Sequence, residues 1–206
     1  HQVFFQNSKH MGALPAKSVD LVVTSPPYPM IEMWDDIFSS SNPAINIAMN
    51  ESAGMDAFEL MHRELDRVWD EIFRVLKTGG FACINIGDAT RTINGDFRLY
   101  TNHARISSYL QKLGLNSLPA ILWRKQTNAP NKFMGSGMLP AGAYVTLEHE
   151  YILVFRKGPK RAFEDSADKK TRRKSAYFWE ERNIWFSDVW FDIKGTQQAL
   201  GNKDTR

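Results

Sequence analysis

The sequence predicts an α/β fold: a mostly parallel sheet with helices packed on it and one antiparallel strand near the edge. Three observations predict it. An apolar, β-branched run at Ser18–Val23 leads, through a helix with one apolar face at 56–76, into a second apolar run at Phe81–Ile86. A second helix and strand repeat that order between Asn102 and Trp123. A last apolar run, Glu148–Arg156, has no helix before it, so it returns antiparallel beside its predecessor.

Val3-Phe4-Phe5 is short and apolar and runs into Gln6-Asn7-Ser8, which predicts a strand with a polar tip. A weak helical turn is expected around Met11–Leu14. Ser18–Val23 reads as a buried strand because Pro26-Pro27 halt a β-branched run. From Pro29 to Ala53 no periodicity emerges, and Ser39-Ser40-Ser41-Asn42-Pro43 is loop chemistry, so a long mobile loop is expected. Phe58, Met61, Leu65, Val68, Ile72 and Leu76 then recur at spacings of three and four and form one face of a helix. Gly79-Gly80 is expected to end that helix, since glycine accepts the left-handed conformation. The strand Phe81–Ile86 follows, with Gly87-Asp88 at its tip, and such a strand-helix-strand unit closes as a right-handed crossover. The second helix, from about Asn102 to Leu113, is closed by Gly114 and leads into a strand at Leu118–Trp123.

The length of 206 residues suits one domain with a sizeable core. Hydrophobic residues make up 43% and charged residues 24%, a globular composition without a membrane-spanning stretch or a signal-peptide pattern. The lone Cys83 lies in an apolar run, which excludes disulfides and a cysteine-based metal site and points to a reducing, cytoplasmic setting. A net charge of +3 is mild evidence for a polyanionic partner. Both ends look cut or processed: the chain opens on His1 and closes on a polar run to Arg206.

In a parallel α/β sheet, ligands bind at the carboxyl ends of the strands, where Thr24-Ser25-Pro26-Pro27-Tyr28 and Gly87-Asp88 both fall. The prolines fix φ and offer no N–H, so the Ser25 and Pro26 carbonyls can be held pointing out of the strand. Ser25 adds a side-chain acceptor and Tyr28 an aromatic face. Such a cluster suits an exocyclic amine on a flat ring, as on a nucleobase taken out of its stack.

At these residues the chain resembles the amino-group DNA methyltransferases that use S-adenosylmethionine. The family's catalytic motif is Asp, Asn or Ser followed by Pro-Pro-Tyr or Pro-Pro-Phe, and the Thr-Ser-Pro-Pro-Tyr form is similar to the cytosine-N4 branch. The resemblance continues in Arg74-Val-Leu-Lys-Thr-Gly-Gly80, in Ile121-Leu-Trp-Arg-Lys125 and through Glu148–Lys157. It implies an incomplete Rossmann-like methyltransferase sheet in permuted order, catalytic motif first. It also implies direct displacement: Ser25 and the Pro26 carbonyl accept hydrogen bonds from N4, which attacks the sulfonium methyl in line. Ser25, Pro26, Pro27 and Tyr28 are thereby the expected catalytic residues, and Asn7, Thr24 and Asp88 are expected on the cofactor side.

The family's cofactor loop, Asp-Pro-Phe-x-Gly-x-Gly between a strand and a helix, has no counterpart here. Phe133-Met134-Gly135-Ser136-Gly137 mimics its core, but a polar stretch precedes it and Pro140 follows, so it reads as a glycine loop between strands. Of a fragment, a split enzyme whose cofactor half lies on a second polypeptide, and a cofactor half lost in evolution, the first two are the expectation. The chain alone is therefore expected to bind S-adenosylmethionine weakly or not at all.

Beyond Arg156 the basic run Lys169-Lys170-Thr171-Arg172-Arg173-Lys174 precedes Tyr177-Phe178-Trp179, Trp185-Phe186 and Trp190-Phe191. Lys125, Lys169, Lys170, Arg172, Arg173 and Lys174 are the candidate contacts to double-stranded DNA. His62 is expected to be structural, and alternation sends His149 and Glu150 to opposite faces, so no metal pair is expected. The expected organisation is a catalytic α/β region at 1–157, a DNA-contacting segment at 158–192 and a tail at 193–206. Adenine-N6 methylation, or a non-catalytic DNA-binding subunit, are the competing readings.

Overall fold

The computed structural model describes residues 1–51, 53–125 and 134–194. Strand β1 (Val19–Thr24) is followed by a 3-10 turn at Glu32–Trp34 and two short helices, α1 (Asp35–Ser41) and α2 (Ala44–Asn50). The long helix α3 (Gly54–Val75) leads into β2 (Leu76–Ile86), and a hairpin of β3 (Ala89–Ile93) and β4 (Asp96–Tyr100) follows. Helix α4 (Asn102–Lys112) feeds β5 (Leu115–Arg124). Next come a minimal hairpin of β6 (Met134–Gly135) and β7 (Ala143–Tyr144), and the long strand β8 (His149–Lys157). Helices α5 (Ser166–Lys174) and α6 (Trp179–Trp185) and the short strand β9 (Val189–Trp190) complete the described chain.

Five strands form the main sheet in the order β1-β2-β8-β5-β9. β1 runs parallel to β2 and β9 parallel to β5, while β8 is antiparallel to both its neighbours. Four strands thus share one direction and β8 alone is reversed, which is the mostly parallel α/β sheet the sequence predicts. The reversed strand is third of the five described strands rather than near an edge. Its direction follows from local chain chemistry, because no crossover helix precedes it. Its slot depends on where β5 docks, which no local pattern specifies.

Helices α3 and α4 cover one face of this sheet. Ala82, Ile84 and Ile86 of β2 alternate inward and meet Leu153 and Phe155 of β8, all buried. From the helices, Met61, Trp69, Ile72, Ile106 and Leu110 are fully buried against them, at roughly 1.5–3 kcal/mol for each large apolar side chain. Arg105 of α4 ties the two helices together through Asp66 at 2.8 Å and Glu59 at 3.1 Å. The opposite face exposes Leu21, Val23 and Phe81. No described residue from 158 onward is buried. Among the described residues, no helix is long and apolar enough to cross a membrane.

Three local expectations change, and one hairpin was not expected. Val3-Phe4-Phe5 forms no strand; its side chains are exposed and it meets no partner strand among the described residues. The stretch from Pro29 to Ala53 is not a long loop. It folds into α1 and α2 because Phe38, Ile45 and Ala48 reach the core, and Asn42 and Pro43 mark only the break between the helices. Helix α3 ends where Leu76 turns extended (φ −64°, ψ 135°), before the glycines. Gly79 and Gly80 instead sit in the irregular opening of β2, where the register against β1 shifts between Val19 and Leu21. The β3–β4 hairpin was signalled by Asn94-Gly95, both at positive φ (47° and 82°), a dipeptide that sequence reading passed over. By contrast, Gly114 closes α4 at φ +97°, as the glycine rule requires.

Gly79 has φ +79°, and a Cβ there would lie 2.9 Å from Arg161 Cβ and 3.0 Å from its backbone nitrogen. Gly79→Ala is expected to cost roughly 1–3 kcal/mol, read as a lower urea midpoint at unchanged slope. Gly12, with nothing within 4 Å of such a Cβ, is the control, and Gly12→Ala is expected to stay within about 0.5 kcal/mol.

Candidate active site

The proline segment leaves the carboxyl end of β1 and is pinned from below. Pro26, Pro29 and Met30 are buried, and Met30 takes the left-handed backbone conformation (φ 67°), uncommon outside glycine. Its N–H meets Met61 Sδ at 3.3 Å. The decisive contact is Asn102, fully buried at the start of α4. Its Nδ2 donates to the Pro29 carbonyl (3.1 Å) and the Gly87 carbonyl (2.9 Å), tying the end of the motif to the end of β2. His62 of α3 holds Asn102 Oδ1 at 3.0 Å. Since Oδ1 can only accept, Nε2 carries the proton. Nδ1 is then a bare lone pair, an acceptor that meets no donor among the described residues. Burial drives the His62 pKa down to about 3, outweighing the bond to Asn102, so the ring stays neutral.

Tyr28 is the hub of the exposed side. Its phenol donates to Glu150 Oε2 at 3.0 Å, accepts from Asn85 Nδ2 at 2.8 Å and lies 3.2 Å from Ser25 Oγ. Asn85 Nδ2 also reaches Glu150 Oε2 at 2.8 Å, and Lys125 Nζ sits 2.6 Å from Glu150 Oε1. The Lys125 ammonium lies 4.6 Å from the Trp123 ring centre, a cation–π contact. Gly87 is required here: a Cβ would come within 3.2 Å of both the Tyr28 ring and the Glu150 side chain. Burial raises the Tyr28 phenol above the ordinary tyrosine value, and the Glu150 carboxylate raises it further against the opposing effect of Ser25. The group remains a neutral phenol at physiological pH. Burial likewise raises the Cys83 thiol, which leaves it protonated.

Ser25, Pro26, Pro27, Tyr28 and Lys125 therefore stand together at one strand edge. Thr24 ends β1 beside them. Asn7 accepts the Lys9 N–H at 2.9 Å and lines a cleft of about 320 Å3 with Ser8, Pro27, Ile37 and Leu65. Lys9 closes its base on Glu64 at 2.5 Å. This polar-and-apolar cleft against Pro27 fits one wall of an S-adenosylmethionine seat; among the described residues no glycine loop opens a helix to form the other. Asp88 is committed elsewhere: it accepts the His103 N–H (3.1 Å) and faces the His103 ring nitrogen (2.8 Å), capping α4. His103 in turn stacks on Tyr151 with centroids 3.9 Å apart.

Lys169, Lys170, Arg172, Arg173 and Lys174 all lie on α5, exposed, with Asp165 capping the helix through Ala167 and Asp168 N–H groups. Of the decoy Phe133–Gly137, Phe133 lies outside the described residues. Met134-Gly135 pairs with Ala143-Tyr144 in a hairpin that opens no helix. Among the described residues, no group of three or more His, Cys, Asp and Glu is placed to hold a metal ion. Sequence reading missed Asn85, Asn102 and Glu150. A lone amide in the apolar run Phe81–Ile86 was the available signal for Asn85. Alternation puts Glu150 on the face opposite His149 without saying which face, and only the sheet order brings it to Tyr28.

A family model described as DNA methylase (N6_N4_Mtase) matches residues 19–205. The chain is 55% identical over 207 residues to the type II methyltransferase M.MthZI of Methanothermobacter thermautotrophicus, covering 100% of this chain and 58% of that one. It is 49% identical over 210 residues to the type II methyltransferase M.MjaI of Methanocaldococcus jannaschii, covering 97% of this chain and 68% of the relative. Among solved structures, it is similar to TTHA0409, a candidate DNA modification methylase of Thermus thermophilus crystallised with S-adenosyl-L-methionine. The TM-score is 0.68 at 30% identity, over 92% of this chain and 65% of that one. The chain thus spans 58% of the length of the first of these relatives.

The neutral His62 sets an expected acid sensitivity. Its native pKa is about 3 against 6.5 for an unperturbed histidine, so between those values the unfolded state binds more protons. Stability is full above pH 6.5 and falls as pH drops, by about 2 kcal/mol between pH 6.5 and 5 from this group. Urea midpoints measured across that range are expected to decline in the wild type and to flatten in His62→Gln, whose amide still donates to Asn102.

Proposed function

The chain belongs to the DNA methylase family, and from that premise we propose that it serves site-specific DNA methylation, with N4 of a flipped-out cytosine as the methyl acceptor. The observation that carries this reading is the Ser25–Tyr28 segment, clamped at the carboxyl end of β1 with a serine acceptor and an aromatic ring side by side. The type II designation of two relatives supports the site-specific part. Ser25 Oγ and the Pro26 carbonyl take the two amine protons, which turns the nitrogen lone pair away from the base ring. Tyr28 stacks on the base, and Pro27 fixes the spacing between ring and acceptors. S-adenosyl-L-methionine, when bound, supplies an electrophilic methyl on sulfur. Asn7 and Thr24, on the Pro27 side of the motif, are assigned to the wall of its seat, whereas Asp88, spent on His103 and the start of α4, is not. Donors and acceptors that are already oriented do not reorganise as charge develops, which is where such a site gains most of its rate.

Residues 158–192 are assigned to DNA contact. Helix α5 presents five cations within Lys169–Lys174, and the exposed aromatic residues of α6 follow directly. Cytosine is favoured over adenine by the Thr-Ser form of the motif, since the acceptor pair itself suits either amine.

Methylation of DNA by the full-length protein, followed by nucleoside chromatography, is expected to yield N4-methylcytosine; N6-methyladenine alone would overturn the cytosine assignment. Ser25→Ala is expected to lower kcat by about 10²–10³ with DNA binding intact, whereas unchanged methylation would favour a non-catalytic role. Neutralising the five α5 cations is expected to flatten the dependence of log K on log salt by roughly 2–4 units, and an unchanged slope removes α5 from the interface.

A further inference from the structure

We propose that Glu150 is a positioning residue: its carboxylate fixes the direction of a hydrogen-bond chain running from Ser25 through Tyr28, so that Ser25 meets the substrate amine as an acceptor only. The inference rests on the reading of the proline motif as the seat of an amine, and extends it to a residue outside that motif.

The direction follows from counting protons. Every described contact at Glu150 is a donor pointing inward: Lys125 Nζ on Oε1 at 2.6 Å, and Asn85 Nδ2 and Tyr28 Oη on Oε2 at 2.8 and 3.0 Å. The phenol has one proton and gives it to Glu150. Its second contact, Asn85 Nδ2 at 2.8 Å, is itself a donor. Ser25 Oγ, 3.2 Å from the phenol oxygen, can therefore engage it only by donating. The serine proton turns inward, and both Ser25 lone pairs face the exposed side of the strand end. Were the chain reversed, the phenol would donate to Ser25 and the serine proton would point at the incoming N–H groups, donor against donor. Asn85 and Gly87 serve the same end. The amide supplies the second donor to Tyr28, and the glycine leaves room for both the Tyr28 ring and the Glu150 stem. Lys125 holds the other carboxylate oxygen, which keeps Glu150 turned toward Tyr28.

Glu150→Gln is the discriminating variant, because its amide can donate to Tyr28 and reverse the chain with almost no change in shape. In the full-length protein it is expected to lower kcat at least tenfold, with KM for DNA within threefold and thermal midpoint unchanged. In a Tyr28→Phe background, where the chain is already cut, the same substitution is expected to change kcat by less than twofold. Equal losses in both backgrounds would overturn the proposal, as would a Glu150→Gln enzyme with wild-type kcat. A second arm needs no turnover. The 13Cζ resonance of Tyr28, assigned by its disappearance in Tyr28→Phe, is expected to move upfield in Glu150→Gln as the phenol loses its carboxylate acceptor. An unmoved resonance means that the chain does not run as described. If the wild-type protein methylates no base in DNA while the resonance shifts, the methyltransferase reading fails and the hydrogen-bond chain stands.

Discussion

One buried amide holds the candidate site together. Asn102 spends both its donors on backbone carbonyls, one at the end of the proline motif and one at the end of β2, and its acceptor on His62. A buried carbonyl that loses such a donor costs roughly 1–3 kcal/mol, so the clamp is strongly preferred over any arrangement in which the loop drifts from the strand. Several other features depend on it. The left-handed backbone at Met30 persists because the chain on both sides is fixed. Tyr28 keeps its place against Gly87 because the two strand ends are tied at a set separation. The network around Glu150 then has a fixed tyrosine to address.

The electrostatic design divides along the sheet. On the helix-covered side the pair that clamps the motif is neutral: His62 is kept unprotonated by burial, and it meets an amide rather than a carboxylate. On the open side the pair is charged, with Lys125 and Glu150 at 2.6 Å within reach of the motif. The neutral pair provides rigidity without a buried charge to solvate. The charged pair provides orientation where solvent or substrate can share the cost. This division suits the proposed reaction, in which the protein's task is to hold an amine and a methyl donor in line rather than to form a covalent bond of its own.

The α3 face, the glycine closure of α4 at Gly114 and the reversed strand β8 were legible from periodicity and turn chemistry. These are local signals, repeated over enough residues to outweigh noise. The short helices between Pro29 and Ala53 were not legible, because a seven-residue helix anchored by one or two buried residues carries too little pattern to detect. Gly79 and Gly80 were assigned to the helix end on residue type, whereas the register of β1 against β2 places them in a bulge. Of the site, Ser25 and Tyr28 were legible because prolines isolate them after an apolar run. Glu150 was not, because its partner lies 122 residues away.

The sequence by itself determined the chemistry available at the strand end: a hydroxyl acceptor, two rigid prolines and an aromatic ring. It also determined the directions of β1, β2, β5 and β8, since the presence or absence of a crossover helix between them is written locally. Only the tertiary structure decided that β8 enters between β2 and β5, and so that Glu150 and Asn85 stand side by side against Tyr28. The physical reason is that strand order is settled by docking among elements of similar apolar character, a global competition whose outcome no single segment encodes.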